Sequence, residues 1–381
     1  MQMAGSCGLC AKMRSHARPL DPGDSPHEPH SSQAVRPRQR AAEGGRMRRL
    51  FVLVAALTLT ACGQAPAAQE AGPAAAPQPG FPVTVENCGR TLTFDRPPSK
   101  VVTGYHPSLE TLLALGLGDR IAGRTNFSES AFLPGHKELY DKIPEISPTI
   151  MLPQKEVMLA QGADFVLDNQ MASFDAAGGY ATVEELDAAG SPVYILGGWC
   201  SPEETLEFTL DDTFTDLRNL GKIFGVPDRA DKLATELRGR LDDVRERVAG
   251  RPPVKVLATD GGKGPVNAYG GAGVTHQMIN AAGGVNVLAD VKGDYTEVSV
   301  EQVSAAQPDA ILVSEYATLR GETMPTVRAK TADALAIARN SPAAKARRVL
   351  PLPVAAQHPG YRNLLAITDI ARFLHPGAFT S

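Results

Sequence analysis

The chain has 381 residues, 43% of them hydrophobic, which suits two globular domains of ordinary composition. Charge is unevenly distributed. Residues 1–61 hold nine basic and four acidic side chains, and the remaining 29 basic and 38 acidic side chains give residues 62–381 a net charge of −9. This acidic balance excludes a nucleic-acid binder that works by bulk electrostatic attraction.

The N-terminal part of the chain has the features of an export signal. Residues 1–46 have no apolar periodicity, so we interpret them as an upstream extension that is untranslated or disordered. A basic start at Met47, a short apolar run and small residues before Cys62 resemble a bacterial lipoprotein signal peptide at 47–61. The resemblance implies that Cys62 carries the lipid and anchors the protein at the extracytoplasmic face of the cell membrane. An internal apolar segment with an unrelated cysteine is the alternative.

The remaining cysteines follow from this interpretation. Residues 62–80 are almost wholly Ala, Pro, Gln and Gly after the cysteine, which predicts a tether without a core. Cys7 and Cys10 lie in the extension and receive no metal or redox role. Cys88 and Cys200 are then left in an oxidising compartment, which favours a disulfide between them. Two buried free thiols are the alternative.

Strands and helices are predicted to alternate from residue 81 to 226. The predicted strands lie at 101–105, 120–124, 164–168 and 193–197. The predicted helices lie at 108–116, 154–161 and 181–189. This alternation indicates a Rossmann-like α/β lobe around a mainly parallel sheet. Glu110 beside Ser108 is interpreted as part of a helix cap.

A long amphipathic helix is predicted over 227–249, since its apolar residues recur at steps of three and four. Pro227 suits the first helical position, and Gly250 followed by two prolines ends the helix. At about 1.5 Å per residue it would be roughly 35 Å long. An ordinary surface helix is the alternative. We predict that 227–250 joins two lobes because similar patterns lie on both sides of it.

The second lobe, 251–381, is predicted to have the same construction as the first. Its predicted strands lie at 254–259, 286–288, 309–314 and 348–354. Its predicted helices lie at 275–282, 300–306, 330–338 and 363–374. One repeated spacing is specific: Glu156 lies eight residues before Asp164, and Glu301 lies eight residues before Asp309. Each pair indicates a helix that opens with an acid and runs into a strand, so one unit has been used twice.

Ligand-binding residues are predicted in the groove between the lobes, because ligands bind beyond the carboxyl ends of parallel strands. Aromatic and polar side chains that follow predicted strands or lie in nearby loops are Tyr105, Asn169, Gln170, Trp199, Tyr269, Tyr295, Tyr316, His358 and Arg362. Core or loop packing is the alternative for each of them. Arg362 is the candidate partner for negative charge on a ligand, and a bridging arginine at the start of the last helix is the alternative.

Enzyme motifs and metal-site patterns do not occur in the sequence. GxSxG, HExxH and GxxxxGK[ST] are absent. The five histidines after Cys62 include no HxH pair and no His-rich loop, so we predict neither a metal site nor a cofactor. A surface lipoprotein that only holds another protein is a further alternative.

Together, several stretches resemble the substrate-binding lipoproteins of iron-siderophore ABC importers, a family that also includes cobalamin and haem binders. They are the lipoprotein signal, HPSLETLLALGLGDRIAG at 106–123, the paired Glu-x7-Asp units, AAGGVN at 281–286 and HPGYRNLLAITDIARFLHP at 358–376. The similarity covers residues 82–378, and it rests on the order of the stretches more than on any single motif.

The resemblance implies a fold of two lobes joined by one helix and a monomeric, non-enzymatic protein. It implies that a ferric siderophore binds in the groove, with cobalamin, haem or a bare metal ion as alternatives. A hexadentate siderophore already fills the iron coordination sphere, so the protein need supply no metal ligand. It also implies that Glu156 and Glu301 dock into arginine pockets of the ABC permease.

Overall fold

The computed structural model describes residues 78–125, 133–262, 264–316 and 327–380. The predicted extension at 1–46, the signal peptide at 47–61, Cys62 and most of the tether lie outside these ranges. None of the helices within them is long and apolar enough to cross a bilayer.

The first lobe combines a small hairpin with a five-stranded parallel sheet. Its strands are β1 Val83–Asn87, β2 Arg90–Phe94, β3 Val101–Thr103, β4 Ile121–Thr125, β5 Glu145–Ser147, β6 Phe165–Asp168 and β7 Val193–Ile195. Its helices are α1 His106–Ala114, α2 His136–Lys142, α3 Lys155–Ala160, α4 Val183–Ala188, α5 Pro202–Glu207 and α6 Leu210–Ile223. The sheet has the order β5-β4-β3-β6-β7, and all of its strands are parallel.

The second lobe follows helix α7 Pro227–Val248 and has a mixed six-stranded sheet. Its strands are β8 Val254–Gly261, β9 Val266–Tyr269, β10 Gly284–Asn286, β11 Tyr295–Val298, β12 Ala310–Glu315 and β13 Val349–Pro353. Its helices are α8 Gly273–Ala281, α9 Val300–Ala306, α10 Val327–Ile337, α11 Pro342–Ala346 and α12 Tyr361–Leu374. Strands β10, β8, β12 and β13 pair in parallel, whereas β9 and β11 are antiparallel additions at one edge.

Helix α7 confirms the predicted helix and stands between the two sheets in the chain. Pro227 lies in its first turn, and Arg245 and Arg247 lie in its last turn, where positive charge favours the helix dipole. Gly250 follows with a φ of 71°, a left-handed conformation that a side chain disfavours. The apolar stripe that α7 buries consists of Ala230, Leu237, Leu241 and Val244.

One apolar core runs through both lobes. It includes Phe165 and Leu167 of the first sheet and Val256 and Leu312 of the second. Helix α12 packs against α1 and α6 of the first lobe and against α7 and α8. Because α12 and α7 are buried in this shared core, the lobes are held by packed helices as well as by a single covalent connection.

The repeated acid-strand unit is confirmed in three dimensions. Asp164 accepts a hydrogen bond from the Lys100 backbone N–H at 2.8 Å, and Asp309 accepts one from the Lys255 N–H at 3.2 Å. Each aspartate precedes the first residue of its own strand. It bonds the residue just before that strand's first pairing partner, which is Val101 for β6 and Val256 for β12. The same local device therefore aligns β6 with β3 and β12 with β8.

Several elements were missing from the prediction although local signals for them exist. The hairpin β1–β2 alternates in VTVEN and RTLTF, and both turn residues, Cys88 and Gly89, have positive φ. Helix α6 carries a capping box between Thr209 and Asp212. The structure also contains elements that were not predicted, namely strands β5, β9 and β11 and helices α2, α5 and α11. The predicted strand at 286–288 is displaced, because β10 ends at Asn286.

Candidate functional site

Three ring side chains from both lobes meet beyond the carboxyl ends of the parallel strands. Tyr105 follows β3, Trp199 follows β7 and His358 follows β13. The ring centroids of Tyr105 and His358 are 4.9 Å apart, and those of Trp199 and His358 are 5.4 Å apart. Burial lowers the pKa of His358 to about 4, so its imidazole is neutral at pH 7. We call these three residues the aromatic cluster.

A buried carboxyl group holds the loop that carries Trp199. Asp216 on α6 accepts hydrogen bonds from the Gly197 N–H at 2.6 Å and from the Tyr194 hydroxyl at 2.8 Å. Burial raises the pKa of Asp216 to about 7. Gly197 has a φ of 66°, and Pro359 of the second lobe occupies the space that a Cβ would need. Glycine at this position therefore lets the two lobes come into contact beside Trp199.

A second buried carboxyl group places Asn169 next to the aromatic cluster. Asp168 Oδ1 accepts hydrogen bonds from the N–H of Asn169 at 2.7 Å and from that of Tyr105 at 3.3 Å. Burial raises the pKa of Asp168 to about 6. Asn169 is fully buried, whereas Gln170 is partly exposed. Asp168 thus links the ends of β3 and β6, and both predicted residues lie at that edge.

The predicted tyrosines of the second lobe lie around Asp260 at the end of β8. The hydroxyls of Tyr295 and Tyr316 each donate to Asp260 Oδ2 at 2.7 Å. Lys330 Nζ is 3.6 Å from the same oxygen. Tyr269 is buried with its ring centroid 5.2 Å from that of Tyr295. We call Asp260, Tyr269, Tyr295 and Tyr316 the tyrosine cluster. Tyr295, 45% exposed, is its most accessible member.

Arg362 forms a buried ion pair across the lobes. Its Nε donates to Glu110 Oε2 at 2.6 Å, and its Nη2 donates to Glu110 Oε1. His106 Nε2 is 2.9 Å from the same carboxylate. These partners outweigh the effect of burial and lower the pKa of Glu110. The structure therefore agrees with the bridging alternative for Arg362, and its contact with ligand charge remains a prediction.

The cap interpretation of Glu110 was wrong. Helix α1 begins at His106, with Tyr105 as its N-cap and Pro107 in the first turn, so Ser108 lies inside the helix. Glu110 is fully buried and does not point to the free N–H groups of the first turn. The sequence placed an acid near a helix start, but the arginine that pairs with it lies 252 residues away.

The residues around Arg362 also contact the first lobe, and sequence reasoning missed this feature. Pro359 packs on Gly197, and a Cβ on Gly360 would meet Pro107. The Tyr361 hydroxyl lies 3.5 Å from His136 Nε2. Residues 358–362 thus form one continuous contact with the first lobe, which we call the interlobe seam. For this contact, the sequence offered no signal beyond the composition of HPGYR at 358–362.

The structure joins Cys88 and Cys200 in a disulfide, as predicted, with Cα atoms 5.4 Å apart. The bond ties the β1–β2 turn to the residue that follows Trp199. Asn87 adds a second link, because its carboxamide donates to the Ile195 carbonyl and accepts from the Ile195 N–H, both at 2.8 Å. The hairpin thereby fixes the strand that carries Trp199.

Glu156 and Glu301 occupy matching positions on the two lobes. Each is exposed in the first turn of its helix, α3 or α9. Glu156 is followed by Val157, which is 49% exposed. Glu301 lines a surface pocket of about 310 Å³ together with Glu297. Both carboxylates are available to a protein partner, although their immediate surroundings differ.

Potential metal ligands are dispersed in the described part of the chain. Among residues 78–125, 133–262, 264–316 and 327–380, no group of three or more His, Cys, Asp or Glu side chains is arranged to hold a metal ion.

The profile of the family described as periplasmic binding protein matches residues 101–355. The chain belongs to this family. It is 24% identical over 271 residues to the uncharacterized ABC transporter substrate-binding lipoprotein YvrC of Bacillus subtilis, a match that covers 69% of this chain and 79% of YvrC. It is also 31% identical over 113 residues to the vitamin B12-binding protein of Vibrio cholerae, covering 30% of this chain and 41% of that protein.

Solved structures agree with this assignment. A protein described as an ABC-type Fe3+-hydroxamate transport system from Saccharomonospora viridis has a TM-score of 0.63 and 24% identity, covering 79% of this chain and 100% of that one. This likeness shows the fold. The two-lobed α/β architecture predicted for this periplasmic binding protein is therefore confirmed, and the relatives are transport proteins that bind substrates.

Proposed function

We propose that this periplasmic binding protein is the lipid-anchored, extracytoplasmic component of an ABC importer and captures a ferric siderophore between its lobes. The observation that carries the proposal is the aromatic cluster, in which Tyr105 and Trp199 of the first lobe meet His358 of the second. Aromatic faces suit the organic shell of a chelate whose iron is already fully coordinated. The tyrosine cluster adds further aromatic surface at the carboxyl edge of the second sheet.

Cobalamin is the second candidate ligand. The Vibrio cholerae relative is named a vitamin B12-binding protein and is 31% identical over its matched segment. Cobalamin also presents a large organic surface around a metal that its own ring coordinates. The aromatic cluster suits either ligand, so the two candidates are compared directly in the test below.

We further propose that Glu156 and Glu301 dock the loaded protein, as a monomer, on the permease. Two carboxylates on a body with a continuous core stay a fixed distance apart. Two arginines of the permease could then read both at once through bidentate hydrogen bonds. Lipid on Cys62 and a tether over 62–80 would keep the protein near that permease.

Ligand capture is expected to raise thermal stability. A ligand at 100 times its dissociation constant adds about 2.7 kcal/mol to the free energy of unfolding. We expect a ferric siderophore or cobalamin, but not the iron-free siderophore at equal concentration, to raise the melting temperature of residues 78–381. The same ligand should quench Trp199, the only tryptophan in the chain. A panel of ferric siderophores, cobalamin and haem that leaves the melting curve unchanged would contradict the proposal.

Removing the docking carboxylates is expected to abolish transport without weakening capture. We expect Glu156→Ala and Glu301→Ala together to reduce chelate uptake by the source bacterium at least about tenfold, since two charge-assisted contacts are lost. Ligand affinity and melting temperature should stay at wild-type values. Glu246→Ala is the matched control, because Glu246 is an exposed glutamate on α7. Equal uptake by the double variant and the control would argue against docking through these residues.

A further inference from the structure

Buried asparagines in the described part of the chain differ in how many of their carboxamide atoms are hydrogen-bonded, and Asn363 is bonded through Nδ2 alone. Asn286 donates to the carbonyls of Tyr269 and Gly270 at 3.1 and 2.7 Å and accepts from the Leu288 N–H at 3.0 Å. Asn87 is bonded through both carboxamide atoms in the same way. Asn169 is fully buried, yet neither its Nδ2 nor its Oδ1 has a hydrogen-bond partner among the described residues. Buried amides are normally hydrogen-bonded, so the two unbonded carboxamide atoms of Asn169 call for an explanation.

Three other buried polar atoms, on the loops that follow β7 and β13, share this property. Trp199 Nε1, His358 Nδ1 and Gln357 Oε1 are buried, and none of them meets a partner in the part of the chain that the structure describes. Trp199 and His358 belong to the aromatic cluster, and Gln357 directly precedes His358. These atoms can donate and accept hydrogen bonds, and all belong to uncharged side chains at pH 7. Together with Asn169 they form what we call the neutral polar set.

Arg362 and Lys330, two described cations beside the aromatic and tyrosine clusters, are each paired with a carboxylate. Arg362 is held by two hydrogen bonds to Glu110, and Lys330 Nζ lies 3.6 Å from Asp260. Both cationic side chains are buried, so separating either one from its carboxylate would leave a buried unpaired charge. Among the cations in the described part of the chain, a highly anionic ligand would have to draw on a paired one such as these. An uncharged ligand needs only hydrogen bonds, which the neutral polar set can make.

Building on the proposed function, we infer that the ligand is an uncharged chelate with amide or hydroxamate groups on its outer shell. Asn169, Gln357, Trp199 and His358 would read these groups through direct hydrogen bonds. Amides offer N–H donors and C=O acceptors, and hydroxamates offer oxygen acceptors. A carboxamide, an indole N–H and a neutral imidazole can form hydrogen bonds with these groups. Sites built in this way reject ligands that leave their buried polar groups unpaired.

The charge of the ligand is tested by direct titration. We expect ferrichrome, an uncharged ferric trihydroxamate, or cyanocobalamin to bind at least about tenfold more tightly than ferric enterobactin, which carries three negative charges. Tryptophan quenching and calorimetry give the dissociation constants. Tighter binding of ferric enterobactin would overturn the inference while leaving the proposed function standing. Binding of none of the three, with no response to the wider panel, would overturn both.

The role of Asn169 is tested by a substitution of similar volume. Asn169→Leu should weaken binding of the preferred uncharged chelate about 10- to 100-fold, because it removes hydrogen bonds that Asn169 forms only in the complex. Its melting temperature without ligand should equal or exceed that of the wild type, because an unbonded buried amide is removed. Asn286→Leu is the matched control and should lower the melting temperature. Unchanged affinity, or a melting temperature lowered as in the control, would show that Asn169 is structural and overturn the assignment.

Discussion

Replacing Arg362 by methionine is expected to lower the free energy of unfolding by about 3–5 kcal/mol, because it leaves the buried Glu110 carboxylate without its guanidinium partner. Chemical denaturation followed by circular dichroism measures this loss. The pair joins α12 to α1, so the same variant should also loosen the interlobe seam. Proteolysis near residues 358–362 should then become faster than in the wild type.

The double variant Glu110→Leu/Arg362→Met separates a missing partner from a missing ion pair. It should recover much of the lost stability, since apolar side chains of similar size can replace a buried pair. Arg240→Met is the control, because Arg240 pairs with Glu236 at 2.8 Å on the exposed face of α7 and should matter little. If Arg362→Met costs no more than Arg240→Met, the buried pair does not fasten the lobes.

Removing the disulfide is expected to lower the free energy of unfolding by about 2–5 kcal/mol. Cys88 and Cys200 are 112 residues apart, so the disulfide closes a long loop in the unfolded chain. Without the bond, the unfolded chain gains conformational entropy, which favours unfolding. Cys88→Ala/Cys200→Ala should show this loss as a lower urea midpoint.

Dithiothreitol supplies the control for the disulfide variant. It should lower the midpoint of the wild type to the value of the variant and leave the variant unchanged. Each single cysteine variant should behave as the double variant does. A wild-type midpoint that ignores the reductant, despite complete reduction shown by thiol titration, would contradict a stabilising role for this bond.

The elements that the sequence predicted well have local signals. Helix α7 was predicted because its apolar residues repeat with helical spacing between Pro227 and Gly250. The unit shared by Asp164 and Asp309 was visible because both copies lie within a short stretch of chain. Strand ends were also located closely enough to select Tyr105, Trp199 and His358. Elements with weaker or mixed patterns, such as the edge strands β9 and β11, were missed.

The choice among nine candidate ligand residues could not be made from the sequence. Tyr105, Trp199 and His358 come together because the carboxyl ends of β3, β7 and β13 meet at the groove. Tyr269 satisfies the same sequence criterion, yet its hydroxyl accepts a hydrogen bond from Ser314 at 3.3 Å inside the second lobe. The position of a residue after a strand predicts the edge of the sheet at which it lies. Its contacts depend on how the two sheets face each other.

The sequence by itself determined most of the alternation of strands and helices and the long helix between the lobes, and it made Cys88 and Cys200 the candidate disulfide pair. Periodicity, end signals and cysteine number are properties of the chain. The tertiary structure alone decided that Glu110 and Arg362 form a buried pair and that the buried carboxamide of Asn169 has no hydrogen-bond partner within the described ranges. The physical reason is the large sequence separation between the residues that interact. Hydrogen bonds and burial depend on residues up to 256 positions apart, and no local pattern encodes which of them will meet.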